Sequence, residues 1–390
     1  MAALEGLLQR YVNDGTLVGA VALVAGHENI EFAAVGSVDT QGSAPMARDT
    51  IFRIASLTKP IIAAATMMLI EDGRIDLGSA VGEWLPEIAC PMVVRTPASS
   101  IDDVVQARRA ITVEDLLTFR CGYGFPSDFS YPAVRLLFSE LLQGSSEPLK
   151  VVSPDEWMAK LAKIPMISQP GDAWLYNAGG DILSVLIARV SGQPLEDFLG
   201  QRIFDPLGMV DTAFFVPQEK LARFTTTYRP VEGNALELVD APDGQWSSAP
   251  AFPSGAGGLV STVDDVLAFQ RMLLADGAIP TTSDGPGSRS LLSPVSVRHL
   301  TTNHLTPQQR ADATLFLEGQ GWGFGGSVDV DPVDPWNIEG RYGWVGGSGT
   351  AAHITPSRGL VTILLTQTAM TSPTTPPLMR DFWTYAAAIG

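Results

Sequence analysis

The chain has 390 residues, of which 45% are hydrophobic and 17% are charged, so it can bury a large core and wholesale disorder is excluded. Its 25 basic and 42 acidic residues give a formal net charge of -17. This acidity excludes nucleic acid as an expected partner, because the phosphate backbone would be repelled. Two cysteines cannot form a disulfide framework.

No membrane partner is expected either. The longest apolar run, residues 61–70, is about half as long as a membrane span requires. The first residues carry an acidic side chain, Glu5, and lack the basic start of a signal peptide. We therefore expect a cytoplasmic protein, and the composition leaves its oligomeric state open.

The chain opens with apolar spacing that predicts an amphipathic helix over residues 4–12. Two apolar runs follow, residues 18–25 and 30–35, and the turn residues 26–29 between them predict a β-hairpin. Residues 61–70 are apolar on every face, which predicts a helix that is buried on all sides.

The middle of the chain, residues 76–254, is predicted to be mainly helical. Thr112 with Asp115 three positions later is typical of a capped helix start. Residues 181–190 have apolar side chains at helical spacing, whereas residues 218–253 have no clear period.

The last part of the chain returns to strands. Thr262 is predicted to cap a helix over residues 263–274. Later segments have strand-like lengths and short turns, and a final helix closes the chain; these segments are residues 342–348, 351–355, 360–367 and 378–388.

Strands at both ends with helices between them indicate the domain organisation. We expect an α/β (α+β) domain built from residues 1–75 and 255–390. A mainly helical domain, residues 76–254, would be inserted between these two segments.

One short motif, Ser56-Leu57-Thr58-Lys59, carries a physical mechanism. At positions i and i+3 of a helix the hydroxyl and the amine share one face. Burial disfavours a charged lysine, so the pKa of Lys59 would fall and its neutral amine could take the Ser56 proton. From these residues alone, catalysis and an ordinary capping serine explain the motif equally well.

Other catalytic motifs are absent from the sequence. None of its histidines lies in an H-E-x-x-H motif, and no zinc ligand set emerges. The nucleotide-binding patterns G-x-x-x-x-G-K-[ST] and G-x-G-x-x-G before a helix do not occur. The segment Gly346-Gly347-Ser348-Gly349-Thr350 lacks the last glycine of a nucleophile elbow. No metal site is therefore predicted.

Several longer segments match one known family in the right order. They are FRIASLTKP (52–60), ITVEDLLTFRCGYGF (111–125), PGDAWLYNAGGD (170–181), GAGGLVST (255–262) and GWVG (343–346). Together they resemble the motifs of the serine β-lactamase-like family, which includes class C β-lactamases, D-Ala-D-Ala peptidases and family VIII carboxylesterases. The pattern is most similar to that of the family VIII carboxylesterases.

The resemblance implies a fold and a set of catalytic residues. The fold would be an antiparallel sheet flanked by helices, with the active site in the cleft beside the helical region. Ser56 would be the acylating nucleophile, Lys59 its general base and Tyr176 the proton relay. The backbone N–H groups of Ser56 and Gly347 would form the oxyanion hole. From the residues alone, packing on Trp174 is the favoured role of Tyr176, and the resemblance reverses that preference.

The departures from the family pattern point to the substrate. Ala178 stands where β-lactamases have an asparagine, and Asp181 fits the esterase variants better. Trp344 stands where a cation or imidazole would face a substrate carboxylate, which favours a neutral, hydrophobic ester. Tyr123 and Phe125 are candidate pocket residues. Plain packing of Trp344 and a loop-anchoring role for Tyr123 stay open.

The sequence thus predicts a serine carboxylesterase that forms an acyl-enzyme on Ser56, with a small neutral ester as substrate and no metal or organic cofactor. Within the family, the alternatives are β-lactam hydrolysis, D-amino-acid peptidase activity and acyl transfer. Two alternatives of other classes are a non-catalytic binding protein on the same fold and a metal-dependent hydrolase.

Overall fold

The structure, a computed structural model, describes residues 3–26, 29–232, 235–279 and 289–389. The helices are α1 Ala3–Asn13, α2 Thr58–Glu71, α3 Val113–Leu117, α4 Pro132–Ser139, α5 Pro154–Leu161, α6 Ala178–Ser191, α7 Leu195–Leu199, α8 Asp205–Leu207, α9 Val263–Leu274, α10 Pro294–Thr301, α11 Pro307–Asp312, α12 Thr314–Leu317 and α13 Pro377–Ile389. The strands are β1 Gly19–Ala25, β2 Ile30–Gly36, β3 Phe52–Arg53, β4 Met92–Val94, β5 Val104–Gln106, β6 Thr227–Pro230, β7 Leu236–Asp240, β8 Val260–Ser261, β9 Gly321–Trp322, β10 Ser327–Val328, β11 Tyr342–Gly346, β12 Thr350–Thr355 and β13 Leu360–Thr366.

Within these ranges, seven strands form one sheet in the order β2-β1-β13-β12-β11-β10-β9, and neighbouring strands are antiparallel. The register pairs Ala20 with Thr366 and Gly343 with His353. Strands from both ends of the chain therefore share one sheet, and the predicted fold class is confirmed. The predicted β1-β2 hairpin forms, although residues 27 and 28 of its turn lie outside the described residues.

Both faces of the sheet are buried. Successive side chains of a strand point to opposite faces, so each strand contributes to two separate apolar clusters. Along β1, Ala20, Ala22 and Val24 pack in the cluster that contains the apolar sides of α1 and α13. Val21 and Leu23 belong to the larger cluster that contains α2 and α9. The alternation of side chains along β1 thus places α2 against one face of the sheet, which we call the inner face.

Helix α2 is the central element of the fold. Its residues from Thr58 to Leu69 are all buried, as the apolar pattern predicts. It packs against α6, which begins at Ala178 and is therefore longer than the predicted helix over residues 181–190. A single 3₁₀ turn, Ala55–Leu57, precedes α2 and contacts β11. The start of α2 therefore lies where the sheet meets the helical region.

The helical region also contains strands that the sequence did not predict. Ribbons β4-β5 and β6-β7 form there, the latter within the segment that shows no clear period. One continuous apolar core joins this region to the inner face of the sheet, so the proposed division into two domains stays a prediction. Among the described helices, none is both long and apolar enough to cross a membrane.

Candidate active site

Ser56 lies in the turn just before α2, and Lys59 lies in the first turn of that helix. The Lys59 Nζ donates a hydrogen bond to the Ser56 Oγ at 2.8 Å. Lys59 is only 1% exposed, whereas Ser56 is half-buried and lines a cavity. Ala55, immediately before the serine, has φ 45, a left-handed conformation that strains a residue with a Cβ. The hydroxyl is thus accessible while its amine neighbour is shielded from water.

The amine of Lys59 has three acceptors in the described structure. Its Nζ donates to the Ser56 Oγ, to the Asn177 Oδ1 at 2.9 Å and, in a short contact, to the Ala256 carbonyl. Burial nevertheless lowers the pKa of Lys59 to about 7, and the charge of Asp181 acts in the opposite direction. A substantial fraction of this lysine is therefore neutral, and able to accept a proton, at neutral pH.

Tyr176 contacts the same hydroxyl from another side. Its OH donates to the Ser56 Oγ at 2.8 Å and accepts a hydrogen bond from the Trp344 Nε1 at 2.7 Å. Burial raises the pKa of Tyr176 to about 12, while the hydrogen bonds from its neighbours act in the opposite direction. The phenol therefore stays protonated near neutral pH, and Lys59 is the better candidate base of the two.

An amide and carboxylate network lies behind Lys59, and Asp181 is the one side chain of it that the sequence analysis named. The Asn177 Nδ2 donates to the Gln143 Oε1 at 2.9 Å, and the Gln143 Nε2 donates in a short contact to Asp181. Asp181 also accepts hydrogen bonds from the Ser254 Oγ at 2.6 Å and the Ala256 N–H at 3.1 Å. Burial raises the pKa of Asp181, whereas these donors favour its ionised form.

The prediction that Ala178 is a pocket residue is wrong. Ala178 begins α6, is completely buried and does not line the cavity. The preceding residue, Asn177, has φ 83, and its side-chain amide reaches Lys59. The asparagine directly after Tyr176 in the sequence could have indicated that an amide lies close to Lys59.

The other predicted pocket residues divide into two groups. Phe125, Asp181 and Trp344 line the cavity. Tyr123 does not; it is 2% exposed and packs in the core, so its assignment to the pocket is corrected. The close packing of the Gly122–Gly124 backbone explains why Tyr123 is buried. A Cβ at Gly124 would lie 2.6 Å from the Tyr176 carbonyl oxygen.

Strand β11 is held tightly against the turn that carries Ser56. The Ser348 Oγ donates to the Arg53 carbonyl at 2.5 Å, and the Thr350 Oγ1 donates to the Ile54 carbonyl at 3.0 Å. A Cβ at Gly346 would lie 2.6 Å from that Ile54 oxygen, so only glycine allows this approach. These contacts join the end of β11 to the residues just before Ser56.

The candidate oxyanion-hole groups lie at this junction. Ser56 lies in the first turn of a helical segment, where backbone N–H groups lack an intrahelical acceptor. Gly347 follows β11 directly and lines the cavity, and a Cβ added there would meet open space. Ser56 and Gly347 thus both line the cavity, and the oxyanion hole formed by their backbone N–H groups stays a prediction.

The cavity around Ser56 has a volume of about 680 Å³ and is lined by aromatic and aliphatic side chains with a few polar groups. Its two arginines both have carboxylate partners: Arg53 pairs with Asp240, and Arg229 pairs with Glu237 at 2.6 Å. In the described part of the chain, no group of three or more His, Cys, Asp or Glu side chains is placed to hold a metal ion.

Comparison with known proteins identifies the family. The Beta-lactamase family model matches residues 4–380. Protein Rv1367c of Mycobacterium tuberculosis is 36% identical over 375 residues, covering 93% of this chain and 89% of that protein. Esterase EstB of Burkholderia gladioli is 29% identical over 389 residues, covering 94% and 90%. The structure of EstCE1, described as a hydrolase with promiscuous acyltransferase activity, superposes with a TM-score of 0.78 at 25% identity, covering 98% of this chain and 97% of that one. The predicted resemblance is thus confirmed, and the chain belongs to the beta-lactamase family.

Proposed function

We propose that the protein is a serine carboxylesterase that hydrolyses small neutral esters through an acyl-enzyme on Ser56. The observation that carries the proposal is the double hydrogen bond to the Ser56 Oγ, from the Lys59 Nζ at 2.8 Å and the Tyr176 OH at 2.8 Å. A hydroxyl between an amine of lowered pKa and a phenol can lose its proton to one group while the other protonates a leaving group.

The acylation step follows from this geometry. Neutral Lys59 removes the proton of Ser56 as its Oγ attacks the ester carbonyl. The backbone N–H groups of Ser56 and Gly347 hold the oxyanion. When the carbon–oxygen bond to the alcohol breaks, the Tyr176 phenol gives its proton to the alkoxide, and the Lys59 ammonium restores it. The alcohol leaves and the acyl group stays on Ser56.

Deacylation reverses these roles. A water molecule takes the place of the departed alcohol, loses its proton to the Lys59–Tyr176 pair and attacks the acyl carbonyl. The carbon–oxygen bond to Ser56 breaks, the serine recovers its proton, and the carboxylic acid leaves. The scheme uses no metal or organic cofactor.

The preference for neutral esters rests on charge. Trp344 presents an indole where a cation would bind a substrate carboxylate, and its N–H is already donated to Tyr176. The cavity arginines, Arg53 and Arg229, are each compensated by a carboxylate. An anionic β-lactam or peptide terminus would therefore lose its hydration without gaining a free cationic partner. The name of the relative Esterase EstB supports ester hydrolysis as the reaction.

Acyl transfer to an alcohol is the second candidate. The name of the structural neighbour EstCE1 includes acyltransferase activity. An alcohol that occupies the leaving-group position before water does so would take the acyl group by the reverse of acylation. Adding methanol during turnover and measuring methyl ester against free acid distinguishes the two outcomes.

The test compares the wild type with Ser56→Ala in the hydrolysis of p-nitrophenyl butyrate, with intact-mass detection of a butyryl adduct. Ser100→Ala, which changes an exposed serine outside the cavity, is the matched control. We expect turnover and an adduct in the wild type and the control, and neither in Ser56→Ala. Equal turnover in all three proteins would remove Ser56 from the mechanism.

The remaining alternatives need three further measurements. Nitrocefin and D-Ala-D-Ala peptides test β-lactamase and peptidase activity. Labelling by a fluorophosphonate distinguishes an active serine from a binding protein. Turnover that disappears after exhaustive chelation would favour a metal-dependent hydrolase over the serine mechanism.

A further inference from the structure

Four phenylalanines form a continuous surface along one side of the cavity, which we call the phenylalanine wall: Phe125, Phe129, Phe138 and Phe316. The rings of Phe125 and Phe138 stack with centroids 4.5 Å apart. Phe129 lies 6.0 Å from Phe138 and 6.0 Å from Phe316, edge to face in both cases. The wall therefore combines side chains from separate parts of the chain into one aromatic surface.

The wall begins at the candidate proton donor. The ring of Phe316 lies 4.7 Å from that of Tyr176, centroid to centroid, and the Tyr176 OH contacts the Ser56 Oγ. In acylation the alkoxide oxygen must lie within hydrogen-bond reach of the group that protonates it. The alcohol part of a bound ester would therefore lie beside Tyr176, where the wall begins.

The exposure of the wall is informative. Phe129 is 37% exposed and Phe138 is 39% exposed, although Phe125 between them is only 6% exposed. Rings left partly in water at the edge of a cavity gain little in folding and are typical of binding surfaces. None of the four side chains is charged, so the surface suits an apolar and neutral group.

We propose that the phenylalanine wall binds the alcohol part of the substrate, and that this part is an aromatic or similarly bulky apolar alcohol. The proposal rests on the proposed esterase function. The reaction is that of any ester: the bond from the Ser56 Oγ to the acyl carbon forms, the bond to the alcohol oxygen breaks, and that oxygen receives the proton. Water then releases the acid.

The experiment uses esters that share a butyryl group and differ only in the alcohol: ethyl butyrate and 2-naphthylmethyl butyrate. Both are esters of primary alcohols, so their leaving groups are of similar basicity. We expect the wild type to favour the naphthylmethyl ester by at least about tenfold in kcat/KM, because its rings gain stacking and apolar contacts.

Two variants of the wall test the assignment. Phe138→Ala and Phe129→Ala should each lower kcat/KM for the naphthylmethyl ester by about 3-fold to 10-fold and leave ethyl butyrate within about twofold. Both side chains are partly exposed, so their removal leaves the core filled. Phe138→Tyr keeps the ring and should keep the preference, which makes it the matched control.

Two kinetic results would overturn the proposal. The first result is an equal loss of kcat/KM with both esters in the alanine variants, which would mean that the substitutions affect the chemical step or the fold. The second result is a variant whose preference differs from that of the wild type along an acyl series from ethyl acetate to ethyl hexanoate. The wall would then bind the acyl part of the substrate.

A binding measurement separates this proposal from the esterase function. Saturation-transfer NMR detects 2-naphthylmethanol on the protein without any turnover. We expect binding to the wild type and Phe138→Tyr, and weaker binding to Phe138→Ala. Absence of binding to the wild type would overturn the wall assignment, whereas absence of Ser56-dependent hydrolysis of p-nitrophenyl butyrate would overturn the function.

Discussion

The substitution Asp181→Asn tests the electrostatics of the candidate base. Asp181 accepts a hydrogen bond from the Ala256 N–H, and the Ala256 carbonyl accepts one from the Lys59 Nζ. The carboxylate and the amine thus lie on either side of a single residue. The carboxylate is 5% exposed, so solvent screens its charge only weakly.

The expected shift follows from Coulomb's law. Burial lowers the pKa of Lys59 to about 7, and the negative charge of Asp181 opposes this by stabilising the ammonium. An interaction of ~2 kcal/mol between two unit charges, the order expected for near neighbours at an effective dielectric constant of ~20, corresponds to a pKa change of about 1.5. Removing the charge therefore lowers the pKa of Lys59 further, and a larger fraction of neutral base is present in mild acid.

The assay is the pH dependence of kcat/KM for p-nitrophenyl butyrate between about pH 5 and about pH 9, which reports on the free enzyme. In the wild type the acid limb should have its midpoint near the pKa of Lys59, about 7. In Asp181→Asn the limb should move to lower pH, and the plateau should fall because the amine is a weaker base.

Asp264→Asn is the matched control, because Asp264 is an exposed carboxylate that pairs with Arg48 and does not line the cavity. Its profile should coincide with that of the wild type. A limb that stays in place, or moves to higher pH, in folded Asp181→Asn would refute the assignment of Lys59 as the titrating base. Thermal unfolding of the variant confirms that the protein remains folded.

Two further predictions concern the surroundings of the site. Trp344→Phe removes the N–H that orients the Tyr176 hydroxyl, worth about 1 kcal/mol, so kcat should fall about fivefold; an unchanged kcat would argue against an orienting role. Gly325→Ala should lower the free energy of unfolding in urea by ~2 kcal/mol, because a Cβ at φ 73 would lie 2.5 Å from the Lys59 carbonyl oxygen. Gly347→Ala, where a Cβ meets open space, should unfold at the wild-type urea concentration, and equal destabilisation of both variants would contradict the packing argument.

Local sequence patterns were sufficient to predict helix α2 and two capped helix starts. Helix α2 is buried on every face, and an all-apolar run has no other stable place in a water-soluble fold. Thr112 and Thr262 cap their helices through hydrogen bonds to residues three positions later, so these starts are visible within four residues of sequence. The β7 strand is different: it is largely exposed, and no alternation of burial marks it.

The contacts of the candidate site could be predicted from the residues only where both partners lie in one short segment. Ser56 and Lys59 share a helix turn, so their spacing is enough to bring them together. Gln143 follows α4 and reaches Asn177 across 34 positions of the chain. Such a contact depends on how the segment after α4 lies against the start of α6, and no local period encodes it. The burial of Tyr123, two residues from a cavity-lining Phe125, likewise depends on tertiary packing, here the close approach of Gly124 to the Tyr176 carbonyl.

Two non-glycine residues with positive φ lie at the candidate site. Ala55 with φ 45 precedes the nucleophile, and Asn177 with φ 83 follows the tyrosine of the same cluster. Left-handed conformations cost about 1–3 kcal/mol at residues with a Cβ and persist only when surrounding contacts hold them. Those contacts are present: hydroxyls of Ser348 and Thr350 bind the two carbonyls before Ala55, and Asn177 is bonded through its side chain. These polar contacts therefore stabilise the geometry in which one hydroxyl meets both an amine and a phenol.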